Sequence, residues 1–453
     1  MDEVVIARAM FGTTMGFHII FATIGVGLPL MMLLAELMYQ RTNDFHYAVM
    51  AKRWTKAFAV LLGVGIPTGT IAGVQLSLLW PGFMEVIGRV MALPFQIEIY
   101  AFFIEALFMS IYVYAADRIP PSMRIISLTL VAFGAVASAV LISNVHAFQG
   151  TPAGFRVENG RIVDVEPWQA FFNKSFLVTA GHVALSAYTT GAFVVASVAA
   201  FKMLKAGAGS MLYGFHKKAL MMAVITGGIF ALLTALNGHA TTQHVFEDQP
   251  EKLAAAEGLF ETQTHAPLTV LGWSDREDRE VKWGVEIPWL LSFLAGNSFD
   301  TEVKGLNDYP EELWPPLWVH TMFNIMFITG SLLILLAIVA VIWDKWLKKD
   351  RFPKFLLWIF VLSGPASVAA IESGWILGCS GRQPWSIYRT LSTANSVTAT
   401  GNLGILYTLF IIVYAILGAA VVFVLLYYFK RNTVLDDIHR AEQKGVQLFG
   451  SNS

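Results

Sequence analysis

The sequence predicts an all-α integral membrane protein with about nine transmembrane helices, and three observations carry that prediction. Hydrophobic residues make up 56% of the 453 residues and charged residues only 14%, well under the quarter that soluble chains carry. Several apolar runs exceed the roughly 20 residues a helix needs to cross the hydrocarbon core. Basic residues collect in every second connection, the pattern of chains whose cytoplasmic loops hold the positive charge.

The apolar runs lie at about 12–38, 57–79, 95–115, 125–142, 171–200, 219–236, 317–342, 355–377 and 403–429. The sequence between them reads as loop, because lipid offers no partner for irregular backbone. Arg41, Lys52, Arg53 and Lys56 flank the first connection, and Arg118 and Arg124 lie in the third. Lys202, Lys205, Lys217 and Lys218 fill the fifth, and Lys345, Lys348, Lys349, Arg351 and Lys354 the seventh. The tail carries Lys430, Arg431, Arg440 and Lys444. The other short connections hold far fewer: Arg89, then Arg156 and Arg161, then Arg382 and Arg389. The alternation predicts an N-terminus outside and a C-terminus in the cytoplasm. The first apolar stretch is too long for a signal peptide and lacks a small-residue cleavage site, so it reads as its own insertion signal.

The connection at 238–315 is long, and by parity it lies outside. A loop of that length is either functional or disordered. Trp273, Trp283, Trp289 and Trp314 are spread through it and favour an ordered loop near the interface. No internal repeat or soluble domain is evident, so the chain reads as a single membrane domain over 1–453. The net charge of −1 says little about partners, since the charges are confined to loops. The single cysteine, Cys379, excludes an intramolecular disulfide and any iron–sulfur or zinc site built on several cysteines.

Ionisable side chains inside a membrane are costly, and each is a functional candidate. His18, Glu98, Glu105, His182, Met322, Cys379 and Arg382 all fall toward the predicted outer side of their spans. Glu98 and Glu105 are seven residues apart, which sets both carboxylates on one helix face. Their pairing favours a proton relay over packing. A lone His is as often a packing residue, Met322 alone reads as core, Cys379 alone as a small hydrophobe, and Arg382 can merely snorkel. Taken together, His with Met suits a low-spin haem, and a lone His or thiolate leaves one face of an iron open. Arginine near the interface suits haem propionates or a quinone head group. No Cys-x-x-Cys-His attachment site is present, and no span holds adjacent histidines, which disfavours a haem–copper centre. A proton-coupled transporter is a competing reading, but repeated halves and interrupted midplane helices are not seen.

The chain resembles the large, haem-carrying subunit of cytochrome bd-type quinol oxidases over nearly its whole length, from Arg8 to the ninth span. The most specific motif is Gly381-Arg382-Gln383-Pro384-Trp385 following Glu372-Ser-Gly-Trp375. Met15-Gly-Phe-His18, the Glu98 and Glu105 pair around Tyr-Ala-Phe-Phe, and His182 ahead of Ala-Tyr-Thr-Thr-Gly also match. Lys252-Leu-Ala-Ala-Ala-Glu257 followed by Glu261-Thr-Gln resembles the family's quinol-binding loop, in its short form.

The resemblance implies that His182 and Met322 ligate a low-spin haem b, and that His18 ligates one of two high-spin haems, a haem b and a haem d or further haem b, where dioxygen becomes water. It implies that Glu98 and Glu105 carry protons, that Arg382 neutralises propionates beside Trp375, and that Lys252 and Glu257 contact the quinol. It implies a prokaryotic cell-membrane location, a second membrane subunit, room for a small single-helix accessory subunit, and no nucleic-acid partner. Turnover in such enzymes builds proton motive force without pumping. Three departures stand out. Cys379 occupies the place of a glutamate that usually ligates a high-spin haem; a thiolate could take over, or the haem could be absent or differently held, leaving an electron-transfer or structural subunit. His320 replaces an arginine, and His146 lies in an unusual stretch with no assigned role.

Overall fold

A computed structural model describes residues 3–158, 161–207, 209–397 and 403–444. In chain order, its helices begin with α1 (Glu3–Thr42), α2 (Phe45–Leu79), α3 (Pro81–Val90), α4 (Ala92–Ala115) and α5 (Pro121–Gly150). A hairpin of β1 (Arg156–Glu158) and β2 (Arg161–Val163) leads to α6 (Pro167–Phe171), α7 (Phe176–Lys205), α8 (Met211–Asp248) and α9 (Pro250–Glu257). Four short strands follow: β3 (Leu268–Val270) pairs antiparallel with β6 (Val285–Ile287), enclosing the hairpin of β4 (Trp273–Asp275) and β5 (Glu280–Lys282). Then come α10 (Leu290–Gly296), α11 (Val319–Val341), α12 (Lys354–Ser380), the pair β7 (Trp385–Ile387) and β8 (Leu391–Ser392), α13 (Thr393–Ser396), α14 (Leu403–Arg431) and α15 (Val434–Lys444).

Among the described residues, nine helices are long and apolar enough to cross a membrane: α1, α2, α4, α5, α7, α8, α11, α12 and α14. These are the nine spans of the sequence reading, but their ends move. Helix α1 begins at Glu3 rather than near residue 12, so His18 lies about four turns into it rather than two. Helix α7 begins at Phe176, which leaves His182 less than two turns in rather than three. Helix α8 continues to Asp248, ten residues past the expected start of the long connection at 238. Polar His-Ala-Thr-Thr-Gln-His extends that helix because hydropathy marks where lipid ends, not where backbone hydrogen bonding ends.

Helix α1 packs on α2, α5, α7 and α14, and α7 also packs on α5, α8 and α12. The α1–α7 crossing is tight: a Cβ built on Gly27 would lie 2.7 Å from Gly191 Cα and 2.7 Å from the Ala187 carbonyl oxygen. Small residues at such crossings let helix backbones approach and gain dispersion contacts in lipid. The largest apolar cluster, including Met31, Met32, Phe58, Phe193 and Phe360, fills the half of the bundle where α15 lies against α2. Asp437 of α15 ties to Lys52 at 3.3 Å and Arg53 at 2.6 Å. The other half carries the long connection, and its interior is more polar.

Candidate haem and quinol site

Two histidines at the loop end are oriented alike. His18 Nδ1 lies 3.0 Å from Thr68 Oγ1. That hydroxyl donates to the Val64 carbonyl oxygen at 2.8 Å, one turn back on α2. Its single proton is thereby used, so it accepts from His18 Nδ1–H and leaves Nε2 with its lone pair free. His182 Nδ1 lies 3.0 Å from Asn237 Oδ1 of α8. An amide oxygen only accepts, so His182 also carries its proton on Nδ1 and presents a bare Nε2. Holding one ring nitrogen to orient the other is how ligating histidines are prepared. Met322 sits in the first turn of α11, which packs on α8, the helix that holds His182 in place.

Glu98 and Glu105 face α5. Ser138 donates to Glu98 Oε1 at 2.9 Å. Glu105 is buried against Gly134, where an added Cβ would meet Glu105 N at 3.0 Å. Ser138 and Gly134 are one turn apart, so α4 and α5 run antiparallel with both carboxylates along their seam.

At the end of α12 several elements meet. Cys379 is the penultimate residue of α12 and is exposed. Arg382, just past the helix end, is buried, and its Nε has no partner. Lys252 of α9 reaches the Gly378 carbonyl oxygen at 3.4 Å. Burial, reinforced by the charge of Arg382, pulls the Lys252 ammonium down to about 8. Glu257 closes α9 with Oε2 buried and unpartnered, and burial pushes its carboxyl up to about 8. The α9 segment is anchored through Glu251, which accepts from Tyr388 at 2.5 Å and Arg389 at 2.7 Å. His320 is fully buried, its Nδ1 2.8 Å from the Ala256 carbonyl oxygen and its Nε2 3.2 Å from that of Leu271. It therefore ties α11, two residues before Met322, to the loop beside Glu257.

Other residues escaped the sequence reading. Glu372 Oε1 is buried without a partner, and its Oε2 would lie 3.5 Å from a Cβ on Gly16, two residues before His18. Gln75 is buried with both amide atoms unpartnered. Glu36, at the opposite end of α1, is fully buried with Arg124 Nε at 3.1 Å, Gln40 Nε2 at 2.8 Å and the Tyr112 hydroxyl at 3.1 Å. Only Glu372 carried a signal, as part of the motif ending at Trp375. The others lie in spans where a single polar letter gives no hint of its partner.

These groups suit haem better than a bare ion. Among the described residues, no three His, Cys, Asp or Glu side chains gather as a metal-ion site. The imidazoles instead come singly from separate helices, as a porphyrin-held iron requires. The buried Arg382 guanidinium with its unpartnered Nε and the half-buried Lys252 ammonium fit carboxylate-bearing groups.

Comparison with known proteins agrees with that chemistry. The family described as cytochrome bd terminal oxidase subunit I matches residues 6–433. A Bacillus subtilis protein named "Putative cytochrome bd menaquinol oxidase subunit I" is 66% identical over 98% of this chain and 100% of its own length. Cytochrome bd ubiquinol oxidase subunit 1 of the same organism is 32% identical over 97% of this chain and 96% of its own. The solved bd oxidase of Geobacillus thermodenitrificans superposes with a TM-score of 0.89 at 41% identity, covering 95% of this chain and 99% of that one. The nine apolar helices among the described residues and these matches make this chain a multi-pass bacterial membrane protein, and it belongs to the cytochrome bd terminal oxidase subunit I family.

Proposed function

We propose that this chain carries the haems of a quinol:oxygen oxidoreductase, binds quinol at α9, and works beside a second membrane subunit. The observation that carries the reading is the matched presentation of His18 and His182, each held at Nδ1 and bare at Nε2. His182 with Met322 would hold a low-spin haem b, and His18 one of two high-spin haems, a haem b and a haem d or further haem b. When bound, these groups supply electron transfer from quinol and the reduction of dioxygen to water.

The remaining roles fall to the chain's own side chains. Lys252 and Glu257 of α9 would bind the quinol head group, Glu257 taking the hydroxyl proton when ionised. Arg382 would pair with propionates, and Trp375 would pack beside them. Glu98 and Glu105, along the α4–α5 seam, would hold and pass protons toward the site where water forms. Protons taken up from inside, with quinol protons released outside, would build proton motive force without pumping. The relative with 66% identity is named for menaquinol, which makes menaquinol the first substrate to try. The test is oxygen uptake by the purified complex with reduced menaquinol, alongside haem counts and carbon-monoxide difference spectra. Uptake no faster than autoxidation, with no carbon-monoxide-reactive haem, would refute oxygen reduction and leave an electron-transfer or structural role.

A further inference from the structure

We propose that His146 supplies the imidazole that ligates the haem held against the end of α12, in the role that sequence comparison offers to Cys379. The proposal rests on the haem-carrying reading above and adds a ligand to it.

His146 lies on α5, one turn before that helix ends at Gly150. Its ring meets α12 at two places. It stands edge-on to Trp375 with ring centroids 5.3 Å apart. A Cβ on Gly378 would lie 2.9 Å from its Nε2, so glycine at that position makes the room the imidazole occupies. Trp375 and Cys379 are four residues apart and share one face of α12, so the imidazole approaches the face that carries the thiol. The ring is half-buried, as is that of His182, and it makes a hydrogen bond to the Gln149 side chain one turn on. The charges of Arg382 and Lys252 reach it, and cations at that distance suit the propionates of a haem whose iron it would hold.

Chemistry favours the imidazole over the thiol. A cysteine ligates as the thiolate, and thiolates are favoured at helix N-termini. Cys379 occupies the last turn of α12, the opposite end of that helix. The charges of Arg382 and Lys252 both reach Cys379, and the Lys252 ammonium is directed to the Gly378 carbonyl oxygen at that same end. Cys379 is also exposed, whereas His146 is half-buried. A neutral imidazole ligates without a charge to stabilise. With His18 on α1 and His182 on α7, His146 completes a set of three imidazoles from three helices, one for each haem.

The test uses the intact complex in three forms: wild type, His146→Gln and Cys379→Ala. Haems per chain are counted, and electron paramagnetic resonance of the oxidised protein is recorded with carbon-monoxide difference spectra. The expected result is that His146→Gln loses one haem per chain or shifts one high-spin signal while its low-spin signal stays. Cys379→Ala keeps the wild-type count and signals. An unchanged His146→Gln, or a change in Cys379→Ala as large as that in His146→Gln, overturns the proposal. If His146→Gln loses every haem, His146→Gly is purified with and without imidazole. Return of the high-spin signal with imidazole supports ligation, and failure to return overturns it. A wild-type complex without any high-spin haem would overturn the oxidase reading as well, whereas three haems with His146→Gln unchanged would overturn the ligand assignment alone.

Discussion

Replacing Thr68 by valine removes one hydroxyl and nearly nothing else, which isolates how His18 is presented. In the wild type, Thr68 Oγ1 accepts from His18 Nδ1 at 3.0 Å while donating to the Val64 carbonyl oxygen at 2.8 Å. Thr68 is fully buried, so no water replaces the lost hydroxyl, and the ring is left to its backbone contact with Gly65. A buried donor left poorly paired costs up to about 1–3 kcal/mol. The ring escapes that cost by moving its proton to Nε2, which removes the lone pair an iron would use. At about 1.4 kcal/mol for each factor of ten, haem retention at His18 should weaken roughly ten- to a hundredfold, the scale reported for lost outer-shell partners. The assay is haem content and the carbon-monoxide difference spectrum after purification in graded detergent washes. Thr70→Val is the control: Thr70 makes the same one-turn bond, Oγ1 to the Ile66 carbonyl oxygen at 3.1 Å, but on the exposed face of α2. If Thr68→Val keeps its haem as firmly as Thr70→Val, the tautomer argument is wrong.

Three further outcomes can be checked directly. Glu257 is neutral below about 8 and must ionise to accept a proton, whereas Lys252 loses its charge above about 8. Quinol kcat/KM should therefore rise and then fall around that pH, with Glu257→Gln losing the acidic limb and at least roughly a hundredfold in rate; a pH profile unchanged in the variant would exclude Glu257 as the base. Glu251→Gln removes the charge that Tyr388 and Arg389 grip. Because the Arg389 side chain is 59% exposed, the discounted loss is about 1 kcal/mol, read as a roughly fivefold higher KM for quinol at constant kcat; a kcat effect alone would contradict an anchoring role. Gly191→Val drives a side chain into Gly27, whose Cα would lie 2.6 Å from the new Cβ. It should destabilise the bundle by about 1–3 kcal/mol or more, lowering the thermal midpoint, while Gly25→Ala, with nothing within 4 Å, should leave it unchanged.

Much of this architecture is legible in the sequence because lipid imposes a simple test on every segment. Nine apolar runs became nine long helices, and the motif around Arg382 pointed to the family. What stayed hidden were partners. Thr68 and Asn237 are ordinary residues in apolar spans, and only helix packing shows that they hold His18 and His182. His146 was visible as a stray polar residue, but its meaning depends on α5 crossing α12 at Gly378. The end of α8 was misplaced for a different reason. Its last three turns or so leave the apolar run while keeping their hydrogen bonds, and hydropathy is blind to a helix that outlives its lipid.

That overrun has a mechanical meaning. Helix α8 is one unbroken rod carrying Asn237, the anchor of His182, and ending only at Asp248. Gln249 follows with its side chain set against Gly150 at the end of α5, and α9 starts at the next residue. From Asn237 to Asp248 the rod spans about 16 Å. The segment proposed to bind quinol is therefore mounted on the same stiff shaft that steadies His182. Movement of the loop at its α8 end would have to shift that shaft, so the slack for admitting a substrate lies beyond α9, where Gly258 turns the chain through a left-handed conformation at φ 69°. On the proposed roles, the donor's stand-off from the first acceptor is then a property of a gauge block rather than of a flap.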